Sequence, residues 1–261
     1  MRLEGKIALV TGAGSGFGRA IARRFAQEGA DLVLVDAEQA AAEAVAQPAR
    51  EAGRRALALP ADVTRKADVE AVVQRAVAEF GRIDVLVNAT GESFNQEFLH
   101  FKEEDFDRCL AISLKAYFLT CQAVGRQMAQ QRAGKIINLT SIVGRIGSGE
   151  SVSWSAARGG VDGMTRAMAQ ALGMYGINVN ALAHGASARF NYLPEEAAER
   201  LRRLPFGRMG TDEDVAGAAV FLASEDAAFV HGDVLYVDGG YTTAAVTDDR
   251  FRPEWARAPR A

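Results

Sequence analysis

Short runs of β-branched and aliphatic residues alternate along the chain with longer segments whose apolar positions recur every three or four residues. The short runs cover 6–11, 31–36, 55–60, 83–88, 135–140, 178–182 and 234–237. Most are continuously apolar instead of alternating, as expected of strands covered on both faces. The longer segments predict helices over 16–29, 37–52, 66–80, 102–109, 111–131, 154–175 and 212–223. Strands separated by helices predict an α/β fold: a doubly wound, seven-stranded parallel sheet with helices on both faces. Right-handed crossovers then place ligands at the carboxyl ends of the strands.

Composition narrows the picture without redirecting it. The 261 residues are 49% hydrophobic and 24% charged, with a net charge of −3 and both signs interspersed. No Pro/Gly/Ser-rich linker divides them, so residues 1–261 are read as one domain. No clustered basic face suggests nucleic acid. The apolar runs fall well short of the roughly 20 residues of a membrane span. The first residues lead directly into a strand pattern, with no signal-peptide pattern, which points to a cytoplasmic protein. Cys109 and Cys121 have neither CxxC nor metal-ligand spacing and are expected as reduced, buried thiols; no metal site is expected. Two segments escape the alternation. The stretch 183–210 is long enough to be an active-site lid, with a short helix near 194–201 that has Pro194 in its first turn. The tail 241–261 carries Arg250, Arg252, Arg257 and Arg260 beside Phe251 and Trp255. It is either a frayed terminus or an arm that docks on a neighbouring subunit.

Candidate chemistry begins at Thr11-Gly12-Ala13-Gly14-Ser15-Gly16-Phe17-Gly18, between the first strand and the first helix. A glycine-rich turn lets the backbone approach a pyrophosphate, to which a helix N-terminus offers free N–H groups and a positive dipole end. Asp36 ends the second strand. A carboxylate there can accept both adenosine ribose hydroxyls and repels a 2′-phosphate, and Ala37 supplies no arginine to welcome one. NAD is therefore expected in preference to NADP. Asp36 can also serve as the N-cap of a helix starting at Ala37.

The Thr-Gly-x-x-x-Gly-x-Gly form of this turn, with Asp62-Val63, Asn88-Ala89-Thr90-Gly91 and Gly239-Gly240, resembles the short-chain dehydrogenase/reductase family, from Leu3 to about Tyr241. The resemblance implies a Rossmann-type fold and bound NAD(H). It implies cofactor contacts from Gly12, Ser15, Gly16, Phe17, Gly18, Asp36, Asp62, Val63, Asn88, Ala89, Gly91, Arg158 and Gly185. Ala89 stands where the family has a second asparagine. The family's chemistry uses a tyrosine as proton donor or acceptor and a lysine that lowers its pKa and holds the nicotinamide ribose. A serine polarises the carbonyl, and an asparagine holds a relay water.

The resemblance places Ser141 at the serine position, thirteen residues before Trp154. Trp154 takes the tyrosine position, Arg158 the lysine position and Ser113 the asparagine position. Positions 154 and 158 share a helix face. An indole has only an N–H to donate and cannot cycle a proton near neutral pH. Arginine stays protonated, although it can bond ribose hydroxyls or a substrate carboxylate. Ser113 can hold a water with one polar atom fewer. His184 replaces the proline that usually precedes Gly185, and Arg189 replaces a threonine that contacts the cofactor. His184 is either a substitute acid/base, since imidazole titrates near working pH, or a loop histidine without a chemical task. Glu92 and Glu150 are the other candidate proton sources.

These departures leave three readings. The first is an NAD-dependent oxidoreductase acting on a small alcohol or carbonyl through an atypical site. The second is a silent pseudoenzyme: an NAD-binding sensor, or the inactive partner of an active paralogue in a hetero-oligomer. The third is redox-neutral chemistry on an acidic substrate clamped by Arg158 and Arg189. The resemblance also implies a homotetramer or homodimer built through helices 111–131 and 154–175, with the last strand and tail forming a second interface. Leu114, Tyr117, Phe118 and Cys121 suit such an interface or internal packing equally.

Overall fold

The structure, a computed structural model, describes residues 1–243. Its strands are β1 (Ile7–Thr11), β2 (Asp31–Asp36), β3 (Ala56–Pro60), β4 (Val85–Asn88), β5 (Gly134–Ser141), β6 (Ile177–His184) and β7 (Val234–Val237). Its helices are α1 (Gly16–Gln27), α2 (Gln39–Glu51), α3 (Lys66–Phe80), α4 (Glu103–Leu110), α5 (Ala116–Gln131), α6 (Val143–Ile146), α7 (Val152–Leu172), α8 (Pro194–Arg203) and α9 (Asp212–Ala223). The strands form one parallel sheet in the order β3-β2-β1-β4-β5-β6-β7. This is the expected doubly wound fold.

Alternate side chains of each strand enter opposite cores, which is why the runs are apolar throughout. Ala8, Val10, Leu32 and Leu34 pack with Ile21, Phe25, Val45 and Val220, on the side of α1, α2 and α9. Leu9, Val33, Val35 and Leu86 pack with Val69, Val72, Val124 and Met128, on the side of α3 and α5. Sheet growth reverses between β1 and β4, and that switch point opens a crevice at their carboxyl ends.

Several boundaries differ from the expected ones. The helix expected from 37 starts at Gln39, because Asp36 turns its carboxylate to the Gly14 and Glu38 N–H groups before the helix begins. The segment 111–131 opens with a π-helical turn, Ala111–Lys115, ahead of α5. The helix expected over 154–175 begins earlier, at Val152, and its last three residues tighten into a 3₁₀ turn. Strand β6 runs to His184, two residues past the expected end. The expected short helix in 183–210 forms as α8, and a bridge between Ser187 and Gly210 closes the base of that excursion. Cys109 and Cys121 are free and buried. The proposed anchors Phe251 and Trp255 and the tail arginines lie outside the described residues. Among the described residues, no helix is long and apolar enough to cross a membrane.

Candidate active site

The turn after β1 forms a backbone cradle. Gly12 and Gly16 have φ of +63° and +54°, a region that side chains disfavour. A Cβ on Gly14 would stand 2.5 Å from that of Ala41, and one on Gly18 would strike the Gly12 carbonyl. Ser15 precedes α1 without capping it through its side chain, so the first N–H groups of the helix keep their capacity for an anion. Asp36 completes the cradle: its Oδ2 accepts from Gly14 N at 2.9 Å and its Oδ1 from Glu38 N at 3.2 Å. It is not the N-cap of α2, which is Glu38. These features fit the adenosine and diphosphate of a dinucleotide.

The other expected cofactor residues divide. Ala89 N donates to Thr11 Oγ1 at 3.3 Å and so ties the ends of β4 and β1 together. Asp62 accepts from the backbone and hydroxyl of Thr64, the hydroxyl bond holding its carboxyl below the ordinary range. Val63 is buried in the core on the α3 side. Asn88 departs from expectation, because its side chain is fully buried inside the sheet. It donates to Asn138 Oδ1 at 2.9 Å and accepts from Thr120 Oγ1 at 2.6 Å, so its side chain is held within the core. Gly185 presses so close to β7 that a Cβ there would meet Asp238 Cα at 2.6 Å.

At the carboxyl ends of β4, β5 and β6, a cavity of about 1030 Å³ is lined by Gly91, Ser141, Trp154, His184 and Gly185, with Phe190, Tyr192 and Arg200 from the segment 183–210. Ser141 ends β5 directly beside His184 on β6. Among the described residues its Oγ accepts one long bond, from Val143 N at 3.5 Å, which leaves the hydroxyl proton for a ligand. Trp154 covers Arg158, whose guanidinium carbon lies 3.8 Å from the ring centroid. Beneath the indole, Arg158 is only 3% exposed. Its Nη1 donates to Leu139 O at 2.8 Å and Tyr117 Oη at 3.0 Å, and its Nη2 to Thr90 O at 3.1 Å. Tyr117 Oη in turn donates to Thr90 O at 2.8 Å. Arg158 thus pins the ends of β4 and β5 to α5, and three of its donor directions are taken by the protein. These bonds leave the expected contact with the nicotinamide ribose or a substrate carboxylate only one Nη2 hydrogen and the Nε–H, which has no partner among the described residues. A Cβ on Gly91 would strike both Arg158 and Trp154, so the glycine is what admits the pair.

Ser113 is also committed. It is fully buried in the π-helical turn, where its Oγ accepts from Glu92 N at 3.1 Å and faces Glu92 O at 3.4 Å. Its bonds go to backbone where a relay water was expected. Glu92 itself is bound by Arg108 at 2.9 Å. Glu150 is exposed on the cavity wall. His184 is buried between the rings of Phe17, 4.7 Å away, and Phe190, 5.5 Å away. Its Nδ1 lies 3.1 Å from Gly185 O, which assigns the ring proton to Nδ1. Burial above all, then the charges of Arg158 and Arg189, pushes its pKa down to about 4. It is therefore neutral at physiological pH and holds no acidic proton there, contrary to the acid half of its expected acid/base part.

Comparison with known proteins places the chain in a family. Residues 12–242 match the model of a family described as enoyl-(acyl carrier protein) reductase. The chain is 39% identical to the 3-oxoacyl-[acyl-carrier-protein] reductase FabG of Thermotoga maritima, over 92% of this chain and 99% of that protein. The chain belongs to the short-chain dehydrogenase/reductase family. It is also 39% identical to the 2-dehydro-3-deoxy-D-gluconate 5-dehydrogenase of Escherichia coli, over 92% of this chain and 96% of that one. A solved short-chain dehydrogenase/reductase from Mycobacterium marinum superposes with a TM-score of 0.88 at 32% identity, covering 93% of this chain and 97% of its own. Members of this family are oxidoreductases that bind nicotinamide cofactors.

Sequence reasoning missed two features of this family member's site. Tyr117 suits an interface or packing by its sequence, yet its hydroxyl anchors Arg158. The cavity wall also carries a polar cluster of Ser93, Asn95 and Ser151, in which both serine hydroxyls face Asn95 Oδ1. The clue to Tyr117 was its i+4 spacing from Ser113 on one helical stretch. Ser93 and Asn95 lie in an irregular loop and carried no periodic signal.

Proposed function

We propose that the protein is an NAD(H)-dependent oxidoreductase for a small alcohol or carbonyl substrate, in which proton transfer bypasses position 154. One observation carries this reading: Gly91, Gly185 and the uncommitted Ser141 hydroxyl line one cavity at the carboxyl ends of the sheet. Asp36, on the cradle, supports NAD over NADP. Bound NADH supplies a hydride, and NAD accepts one in the reverse direction. Ser141 donates its hydrogen bond to the substrate oxygen and polarises the carbonyl. The proton that reaches that oxygen comes from cavity water, since Trp154 has no titratable group and His184 is neutral. Forgoing a positioned acid costs roughly 10²–10⁴-fold in rate, so turnover is slow but not abolished. The assembly that goes with this reading is a homodimer or homotetramer, supported by the exposed Phe118 on α5 and Phe229 before β7.

NADH consumption tests the proposal on two substrate classes named for the relatives: a 3-oxoacyl thioester and a deoxy-keto sugar acid. The wild type turns over at least one slowly, and Trp154→Tyr/Arg158→Lys turns it over faster. NADH binding with no turnover in either protein would leave the silent reading. What favours that second reading is the Arg158 head, locked on Leu139, Thr90 and Tyr117.

A further inference from the structure

The residue that stands over the diphosphate cradle is Arg189, in the segment between β6 and α8. A Cβ on Gly16 would lie 2.6–2.9 Å from its guanidinium atoms, so the guanidinium rests against the first residue of α1. It also lies over the ring of Phe17, 4.7 Å from the centroid, with Phe190 at 5.7 Å. Its Nη1 reaches both oxygens of Asp212, at 3.2 and 3.3 Å, and both side chains are about 70% buried.

This placement is electrostatically unusual. A helix N-terminus carries partial positive charge and free N–H groups, and a guanidinium against it is repelled unless an anion neutralises both. Asp212, the first residue of α9, neutralises the guanidinium but makes no bond to the α1 N–H groups among the described residues. The Arg189 guanidinium and the α1 N-terminus thus lie side by side, and a planar guanidinium matches phosphate oxygens in pairs.

We propose that Arg189 is a diphosphate clamp for the dinucleotide, and that Asp212 is an internal carboxylate that competes with the diphosphate for it. The inference rests on the NAD(H) reading above. In the ligand-free protein Asp212 holds the guanidinium. On binding, the diphosphate takes over part of that bonding, and the lid segment is drawn onto α1 through Phe17 and Phe190. A merely structural latch between Arg189 and Asp212 makes a different prediction. Removing either partner then changes binding in the same direction, whereas a clamp and its competitor act in opposite directions.

Titration calorimetry with NADH on wild type, Arg189→Ala, Arg189→Lys and Asp212→Asn separates these cases, with adenosine as the phosphate-free probe. Arg189→Ala weakens NADH binding by roughly tenfold or more and makes it less salt-sensitive. Its adenosine affinity stays unchanged. Arg189→Lys keeps the salt sensitivity but recovers only part of the affinity. Asp212→Asn tightens NADH binding. The clamp is overturned if Arg189→Ala binds NADH like wild type, if adenosine affinity falls equally, or if Asp212→Asn weakens binding. A wild type that binds neither NADH nor NADPH overturns the NAD(H) reading and the clamp together. Wild-type binding that Arg189→Ala leaves intact overturns the clamp alone.

Discussion

The guanidinium of Arg158 lies beneath the indole of Trp154, 3.8 Å from the ring centroid, and its hydrogen bonds point away from the cavity toward main-chain carbonyls. The two residues form one structural unit that seals the floor of the site. Their spacing along α7 is that of a catalytic pair, but their contacts are those of a core.

Arg158→Ala is therefore expected to act on stability. It strips a bond from the buried Leu139 carbonyl and one of two bonds from the half-buried Thr90 carbonyl, and opens a void below the indole. The combined cost is about 2–4 kcal/mol. Urea denaturation monitored by Trp fluorescence checks it. A loss below the error of the extrapolation would mean that the guanidinium does not hold β4 and β5 together.

Gly91→Ala tests the same unit from the opposite side. The added methyl meets both Trp154 and the buried Arg158. Overpacking of this kind costs about 1–3 kcal/mol. Thermal unfolding should show a lower midpoint, and pairing the change with Trp154→Ala should recover part of it. Full additivity of the two substitutions would show that they do not touch.

The fold was largely legible because the central strands β1, β2, β4, β5 and β6 are buried on both faces and the long helices on one, so hydrophobic period alone separates them. The glycine turn and Asp36 were legible for a local reason: a few adjacent residues decide their geometry. Arg158 and Asn88 were not. The partners of Arg158 are Thr90, Tyr117 and Leu139, and those of Asn88 are Thr120 and Asn138, all far away in sequence and joined only by the sheet. The π-helical turn at Ala111–Lys115 also escaped notice, since one extra residue in a turn hardly disturbs the apolar period. It is this turn that houses Ser113, turned to the Glu92 backbone.

His184 predicts a pH dependence of stability. Its pKa is about 4 in the folded protein against 6.5 unfolded, so the unfolded chain binds the extra proton. The stabilisation is fully present above pH 6.5 and is lost as pH falls toward 4, up to about 3 kcal/mol for a shift of this size. His184→Phe keeps a ring between Phe17 and Phe190 and removes the titration. Denaturation midpoints measured from pH 7 to pH 4 should fall less steeply in that variant. Equal slopes would place the His184 pKa near its ordinary value, and would return it to consideration as an acid.

Asp36 predicts cofactor choice. In Asp36→Ala the ribose hydroxyls lose their acceptor and a 2′-phosphate loses its repulsion. NADH binding weakens and NADPH binding strengthens, so the ratio between them narrows by roughly tenfold or more. An unchanged ratio would separate Asp36 from the adenosine ribose.

An intact cofactor end beside a lost proton path at position 154 is tested most directly, in its first half, by wild-type cofactor binding. Calorimetric titration of the purified protein with NADH and with NADPH should give one site per chain for NADH and weaker binding of NADPH. No binding of either, or tighter binding of NADPH, would contradict it.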